Sequence, residues 1–150
     1  MTIAKTLSLA LVLIAGFPAL AANQLTGVYH VHLFFGETTP FVDELTLTDA
    51  GEGKIAGTMH VPNDFDAAVE LAAFDLKTAT LTFHLALPVK YHEAYPLGLD
   101  YEIHFRQPYR GFMQVTDFSN FVGFVSAPIP KAAHVLEAKY VGNVVGFHAP

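Results

Sequence analysis

Apolar and polar residues alternate with period two through most of the chain beyond Gly27. Tyr29, Val31, Leu33 and Phe35 share one parity, and Val28, His30, His32 and Phe34 share the other. Such alternation is the pattern of a half-buried antiparallel strand. A second run carries Phe41, Leu45 and Leu47. Asp49-Ala50-Gly51-Glu52-Gly53 then supplies turn chemistry before Ile55, Gly57, Met59 and Val61, and Pro62-Asn63-Asp64 ends that third run. Residues 69–76 form a fourth run with a phase slip near Ala72. Leu81, Phe83, Leu85 and Leu87 make the clearest strand, with Thr80, Thr82, His84 and Ala86 on its other face. After a long connection over residues 88–99, Tyr101, Ile103 and Phe105 alternate with Glu102 and His104, and runs follow at residues 112–117, 121–126 and 144–148. Many short strands with turn signals between them predict an all-β domain of about eight antiparallel strands, a closed barrel or a sandwich. Closure removes aggregation-prone edges. In the tail, Ile129, Ala132, Ala133, Leu136 and Tyr140 stand at helical spacing, with Pro130 near the start and Gly142 past the end. That spacing predicts a short helix over residues 130–141, with a strand as the alternative. Gly57, Gly123 and Gly146 each fall inside a run, where glycine is expected to mark bulges and bends.

Residues 1–22 read differently. Lys5 is followed by small and aliphatic residues up to Phe17, then by Pro18 and Ala19-Leu20-Ala21. This is the pattern of a secretory signal peptide cleaved after Ala21 or Ala22, which leaves residues 23–150 as one β-barrel domain. The run is short for a bilayer span and no second one follows, so a mature protein with no membrane span is expected, in the periplasm or secreted. With no cysteine, the protein has no disulfides, thiolate chemistry or Cys-based zinc ligation, which suits a bacterial exported protein. Apolar types at 52% allow a sizeable core, and a formal charge of −6 argues against nucleic acid as a partner.

Leu25-Thr26-Gly27-Val28-Tyr29, Gly53-Lys54-Ile55-Ala56-Gly57-Thr58-Met59 and Tyr140-Val141-Gly142 resemble segments of the calycin barrels, the avidin and lipocalin families. The resemblance covers most of the chain beyond the leader as a pattern of strands. It implies an up-and-down eight-stranded barrel whose open end holds a small ligand. Two departures limit what carries over. Tyr29 stands where the lipocalin opening motif has Trp, and the chain lacks the tryptophans that wall the avidin biotin site, so the fold is carried over and the ligand is not.

The interior parity nominates Phe83, Leu85, Tyr101, Ile103 and Phe105 as lining residues for a small apolar or amphipathic molecule. Eight strands enclose a space that is either just filled by side chains or just able to hold one ligand. Arg106 and Arg110, the only two arginines, flank Gln107-Pro108-Tyr109 in one connection. At a barrel mouth they would grip a carboxylate or phosphate head; otherwise they are solvated hairpin cations. Tyr91 and Tyr95, in the long connection, would cover a cavity entrance or pack on the outside. Asp43 falls on the apolar parity between Phe41 and Leu45. It either faces the interior, where it needs a partner or a wet cavity, or is turned out by a one-residue bulge. His30 and His32 project from one strand face roughly 6.6 Å apart. They would hold Zn or Cu if a neighbouring strand supplied a third ligand, or else lie on a solvated face. No Gly-x-Ser-x-Gly elbow, His-Glu-x-x-His motif or phosphate loop occurs, so a binding protein is expected rather than an enzyme. The rival reading is a structural or interaction protein with a filled core, able to form a homodimer.

Overall fold

The computed structural model describes residues 22–36, 39–132 and 134–150; of the predicted leader, residues 1–22, all but Ala22 lie outside them. In chain order the strands are β1 (Gly27–Phe34), β2 (Phe41–Asp49), β3 (Ile55–Val61), β4 (Phe65–Asp75), β5 (Thr80–Leu85), β6 (Leu99–Arg106), β7 (Tyr109–Arg110), β8 (Met113–Gln114), β9 (Asp117–Ala132) and β10 (Val135–His148). Eight of them form the wall. Each pairs antiparallel with the next, β6 pairs with β9 across the small β7–β8 hairpin, and β10 returns to β1. The result is a closed up-and-down barrel, consistent in general with the calycin architecture.

Period-two alternation decides which side chains enter it. Tyr29, Val31 and Leu33 of β1, Leu45 and Leu47 of β2, Leu81, Phe83 and Leu85 of β5, and Tyr101, Ile103 and Phe105 of β6 are all buried. The phase slip near Ala72 is a register shift between Glu70 and Ala73, where exposed Leu71 takes a φ of 52°. The glycines at 57, 123 and 146 do not sit at register shifts. They mark close approach instead: a Cβ at Gly146 would stand 2.1 Å from the Phe121 ring, and one at Gly123 would stand 2.1 Å from the Glu102 carbonyl oxygen.

Two expectations are corrected. The run at 112–117 is not a wall strand, because β7 and β8 fold on each other as a hairpin beyond the rim. Residues 130–132 and 135–141 are strand and not helix: they belong to β9 and β10, in which Pro130 faces Leu136 and Ala127 faces Lys139. A helix with one apolar stripe needs a core surface to cover, and the closed barrel offers none, whereas the hairpin extends an existing ladder. Pro128 and Pro130 are tolerated there because β6 stops pairing with β9 at Ser126, which leaves β9 with a free edge.

The interior is not uniform along the barrel axis. At the end where β1 begins and β6 finishes, the Tyr29 ring lies 6.1 Å from Phe105 and 5.9 Å from Phe121, and Phe118 lies 5.2 Å from Phe105. A helical turn at residues 22–25 closes that end, and the Tyr29 hydroxyl donates to the Leu25 carbonyl oxygen at 3.1 Å. Burial pushes this hydroxyl's pKa up to about 12, so it remains a neutral donor. One end of the barrel is therefore packed with aromatic rings, and space inside the barrel is left only toward the other.

Candidate functional site

The other end is the rim where β1, β3 and β5 finish and β2, β4 and β6 begin. Here the side chains do not meet, and a cavity of ≈ 230 Å³ remains. Leu33, Met59, Leu85 and Leu99 form its inner wall, Tyr101 and Asp43 supply polar atoms, and Phe35, Phe41 and Phe65 ring the opening. Phe83 lies beneath, stacked on Tyr101 with ring centroids 4.8 Å apart and planes 8° from parallel.

The connection between β5 and β6 arches over this opening. Its single 3-10 turn, Val89–Tyr91, is tied by a Tyr91 amide bond to the Pro88 carbonyl at 2.9 Å, and the Tyr95 amide bonds to the Tyr91 carbonyl at 2.9 Å. The chain re-enters the wall through Gly98 at a φ of +82°, where a Cβ would come within 2.2 Å of the Leu85 carbonyl oxygen; only glycine fits there. The arch is fastened to the β3–β4 turn by Asp64, which accepts hydrogen bonds from both the Lys90 ammonium and the Tyr91 hydroxyl. Those two donors hold the Asp64 carboxyl below its ordinary pKa. The Tyr91 ring also packs on Phe65 at 5.7 Å. Tyr91 and Tyr95 thus line the cavity, as lid residues would.

Asp43 faces inward, with no bulge in β2 to turn it out: it pairs in regular register with Val31, and its exposure is 6%. Burial in this apolar space pushes its carboxyl up to about 6. The nearby His60 opposes that rise and Asp64 adds to it. Burial likewise pushes the Tyr101 hydroxyl well above its ordinary range, with the Asp43 charge contributing.

Of the residues nominated from the sequence, the structure gathers Asp43, Leu85, Tyr91, Tyr95 and Tyr101 around one cavity. Phe83, Ile103 and Phe105 are interior but belong to the packed portion; Phe105 is in the aromatic cluster. Arg106 and Arg110 are at the opposite end of the barrel, where β6 leaves the wall, beside Asp117. They cannot anchor a ligand at the open rim, because an up-and-down meander sends β6 away from the rim at which it starts. His30 and His32 lie on the outer face, 5.3 Å and 5.6 Å from the Phe147 ring. Among the described residues no three His, Asp or Glu side chains come close enough to hold a metal ion. Three other strand histidines have cross-strand partners on the same outer surface: His60 with Asp66 at 2.6 Å, His84 with Asp100 at 2.7 Å, and His104 with Thr80 at 2.9 Å.

Phe41, Phe65, Leu99 and Asp64 were not nominated from the sequence. The signal was present in the meander itself, since the ends of odd strands and the starts of the following even strands share one rim. In comparisons with known proteins, no family model, no curated protein and no solved structure matches the chain.

Proposed function

We propose that this protein is an exported, calycin-like binding barrel that takes one small, mainly apolar ligand into its open end beneath the 86–98 arch. The observation that carries the reading is the ≈ 230 Å³ apolar cavity at one rim of a barrel whose other end is packed solid. That volume lies between a cavity of about 150 Å³, which takes up benzene, and the ~300–1,000 Å³ of drug-sized sites. It fits a ring bearing a short chain. Export rests on the pattern of residues 1–22.

The test is native mass spectrometry of the mature protein purified from its own export route without denaturation. A mature chain beginning at Ala22 or Asn23 and carrying a reproducible small-molecule increment is expected. A chain that retains its leader removes the export reading. A bare chain that also fails to take up small aromatic compounds on titration removes the binding reading.

A second reading has its own observation. On the outer face Val122, Val145, His32 and Val42 form one cross-strand row over β9, β10, β1 and β2, and Phe124 and Phe147 flank it. Val122, Val145, Val42, Phe124 and Phe147 are exposed, whereas the outer faces of β5 and β6 carry Thr, His, Asp and Glu. Such a band favours an interaction face. A dimer in the same mass spectrum supports it, and a monomer across the working concentration range removes it for self-association.

A further inference from the structure

The cavity is apolar except for one feature that does not suit a purely apolar ligand. Asp43 is 94% removed from solvent by its own strand and its neighbours, its exposure being 6%, yet among the described residues it has no hydrogen-bond donor or ion-pair partner. A carboxylate so placed is costly unless something completes it. Its oxygens are not sealed into the packing either, since no fully enclosed side-chain oxygen or nitrogen among the described residues lacks a partner. They open onto the cavity that Asp43 lines.

Tyr101, across the cavity, likewise has no hydrogen-bond partner for its hydroxyl among the described residues and is close enough to sense the Asp43 charge. Among the described residues the other charged group that lines the cavity is Asp64, whose pairing with Lys90 and Tyr91 uses its own charge for the arch. Among the described residues no cation lines the space, and the two arginines are at the far end. The other walls near the opening are aromatic: Phe35 and Phe41 sit edge to face with centroids 5.3 Å apart, and Phe65, Tyr91 and Tyr95 complete the rim. Aromatic faces attract a cation, and a desolvated carboxylate binds one strongly. An anion would meet unpaired negative charge in a dry space.

We infer that the open-end cavity is a site for a small organic ammonium ion, whose charged nitrogen sits on the Asp43 carboxylate near the Tyr101 hydroxyl while its apolar body fills the space lined by Leu33, Met59 and Leu99. The inference rests on the binding reading above and narrows its ligand to one chemical class. Ligand and carboxylate complete each other: the ammonium supplies the missing donor, and the carboxylate supplies specificity in a pocket that otherwise grips any greasy molecule.

The site also responds to pH. Asp43 lies beside Val31 of β1 and shares the cavity with Val61 of β3 and Tyr101 of β6; His60, on the outer face of β3, acts on it only through its charge, and Asp64 in the β3–β4 turn and Lys90 on the arch are the other charged groups near it. Its carboxyl titrates at about 6, so it carries its charge at pH 8 and is neutral at pH 4.5.

Three probes of one shape separate the possibilities: phenethylammonium, propylbenzene, which replaces the ammonium by methyl, and 3-phenylpropanoate, which carries a carboxylate. Calorimetric titration of each into the mature wild-type protein and into Asp43→Asn, at pH 8 and pH 4.5, is the experiment. The expected result is phenethylammonium binding to wild type at pH 8 at least about tenfold tighter than either analogue. That advantage should vanish in Asp43→Asn and at pH 4.5, where propylbenzene should bind at least as tightly as it does to wild type at pH 8, because no unpaired charge is then covered by an apolar ligand. Propylbenzene binding with no ammonium preference, or an ammonium preference that survives Asp43→Asn, overturns the ammonium site and leaves the cavity-binding reading standing. Failure of all three probes to bind overturns both.

Discussion

At the scale of the residue, Asp43 carries a measurable consequence in the empty protein. Its carboxyl is pushed from 3.8 up to about 6 by burial in the apolar cavity, so the folded state holds the proton more tightly than the unfolded chain does. A carboxyl whose folded pKa is raised contributes its full stability below the unfolded value and loses it as pH rises through the folded value. The unliganded wild type should therefore match Asp43→Asn near pH 3.5. As pH rises from about 4 to above 6, it should become the less stable of the two by up to roughly 3 kcal/mol. Urea unfolding of both proteins at pH 3.5 and pH 8 checks this; equal stability at pH 8 would mean that the carboxyl is solvated or paired in the cavity. A site residue that destabilises its own fold is the usual trade of stability for binding.

At the scale of the element, the 86–98 connection is a lid only as far as Asp64 holds it. Its polar contacts with the rim are the paired Lys90 and Tyr91 donors; the Tyr91 ring packs on Phe65, and Leu87 and Tyr95 pack against the core. An exposed ion pair contributes little to global stability, while a local tether determines how often a loop opens. Asp64→Asn should therefore leave the unfolding midpoint nearly unchanged and speed amide hydrogen exchange at Tyr91 and Tyr95, with faster release of any bound probe. Unchanged exchange would show that the internal bonds of the arch, from Tyr91 to Pro88 and from Tyr95 to Tyr91, hold it alone.

At the scale of the whole molecule, packed and open ends divide the labour. The ring cluster of Tyr29, Phe74, Phe105, Phe118 and Phe121 supplies the rigidity that the hollow rim forgoes. Two substitutions separate the roles. Phe105→Ala removes a ring from the packed end and should cost roughly 3–5 kcal/mol in stability without changing which probes bind. Leu99→Trp at the open end should abolish probe uptake while thermal unfolding shifts by only a few degrees. A loss of binding in Phe105→Ala under conditions where the protein remains folded would show that the two ends are coupled.

Much of this was written locally in the chain. Alternation of apolar and polar residues is a property of any extended segment, so the inward parity of Leu81, Phe83 and Leu85 and the all-β class could be read without a fold, whereas the choice between an inward and a bulged-out Asp43 was settled only by the regular register of β2. The slip near Ala72 was legible for the same reason. Which end of the barrel a residue occupies is not a local property, because it depends on the direction of every strand and on how the sheet closes. That is why Arg106 and Arg110 belong to the far rim, and why Tyr91 and Asp64, 27 positions apart, meet. Residues 130–141 carry a helical spacing that the closed barrel gives nothing to pack against, so pairing with β9 prevails. Whether the interior is full or hollow is a sum of side-chain volumes from eight strands at each level of the axis. Only the tertiary structure performs that sum, and here its answer changes from one end of the barrel to the other.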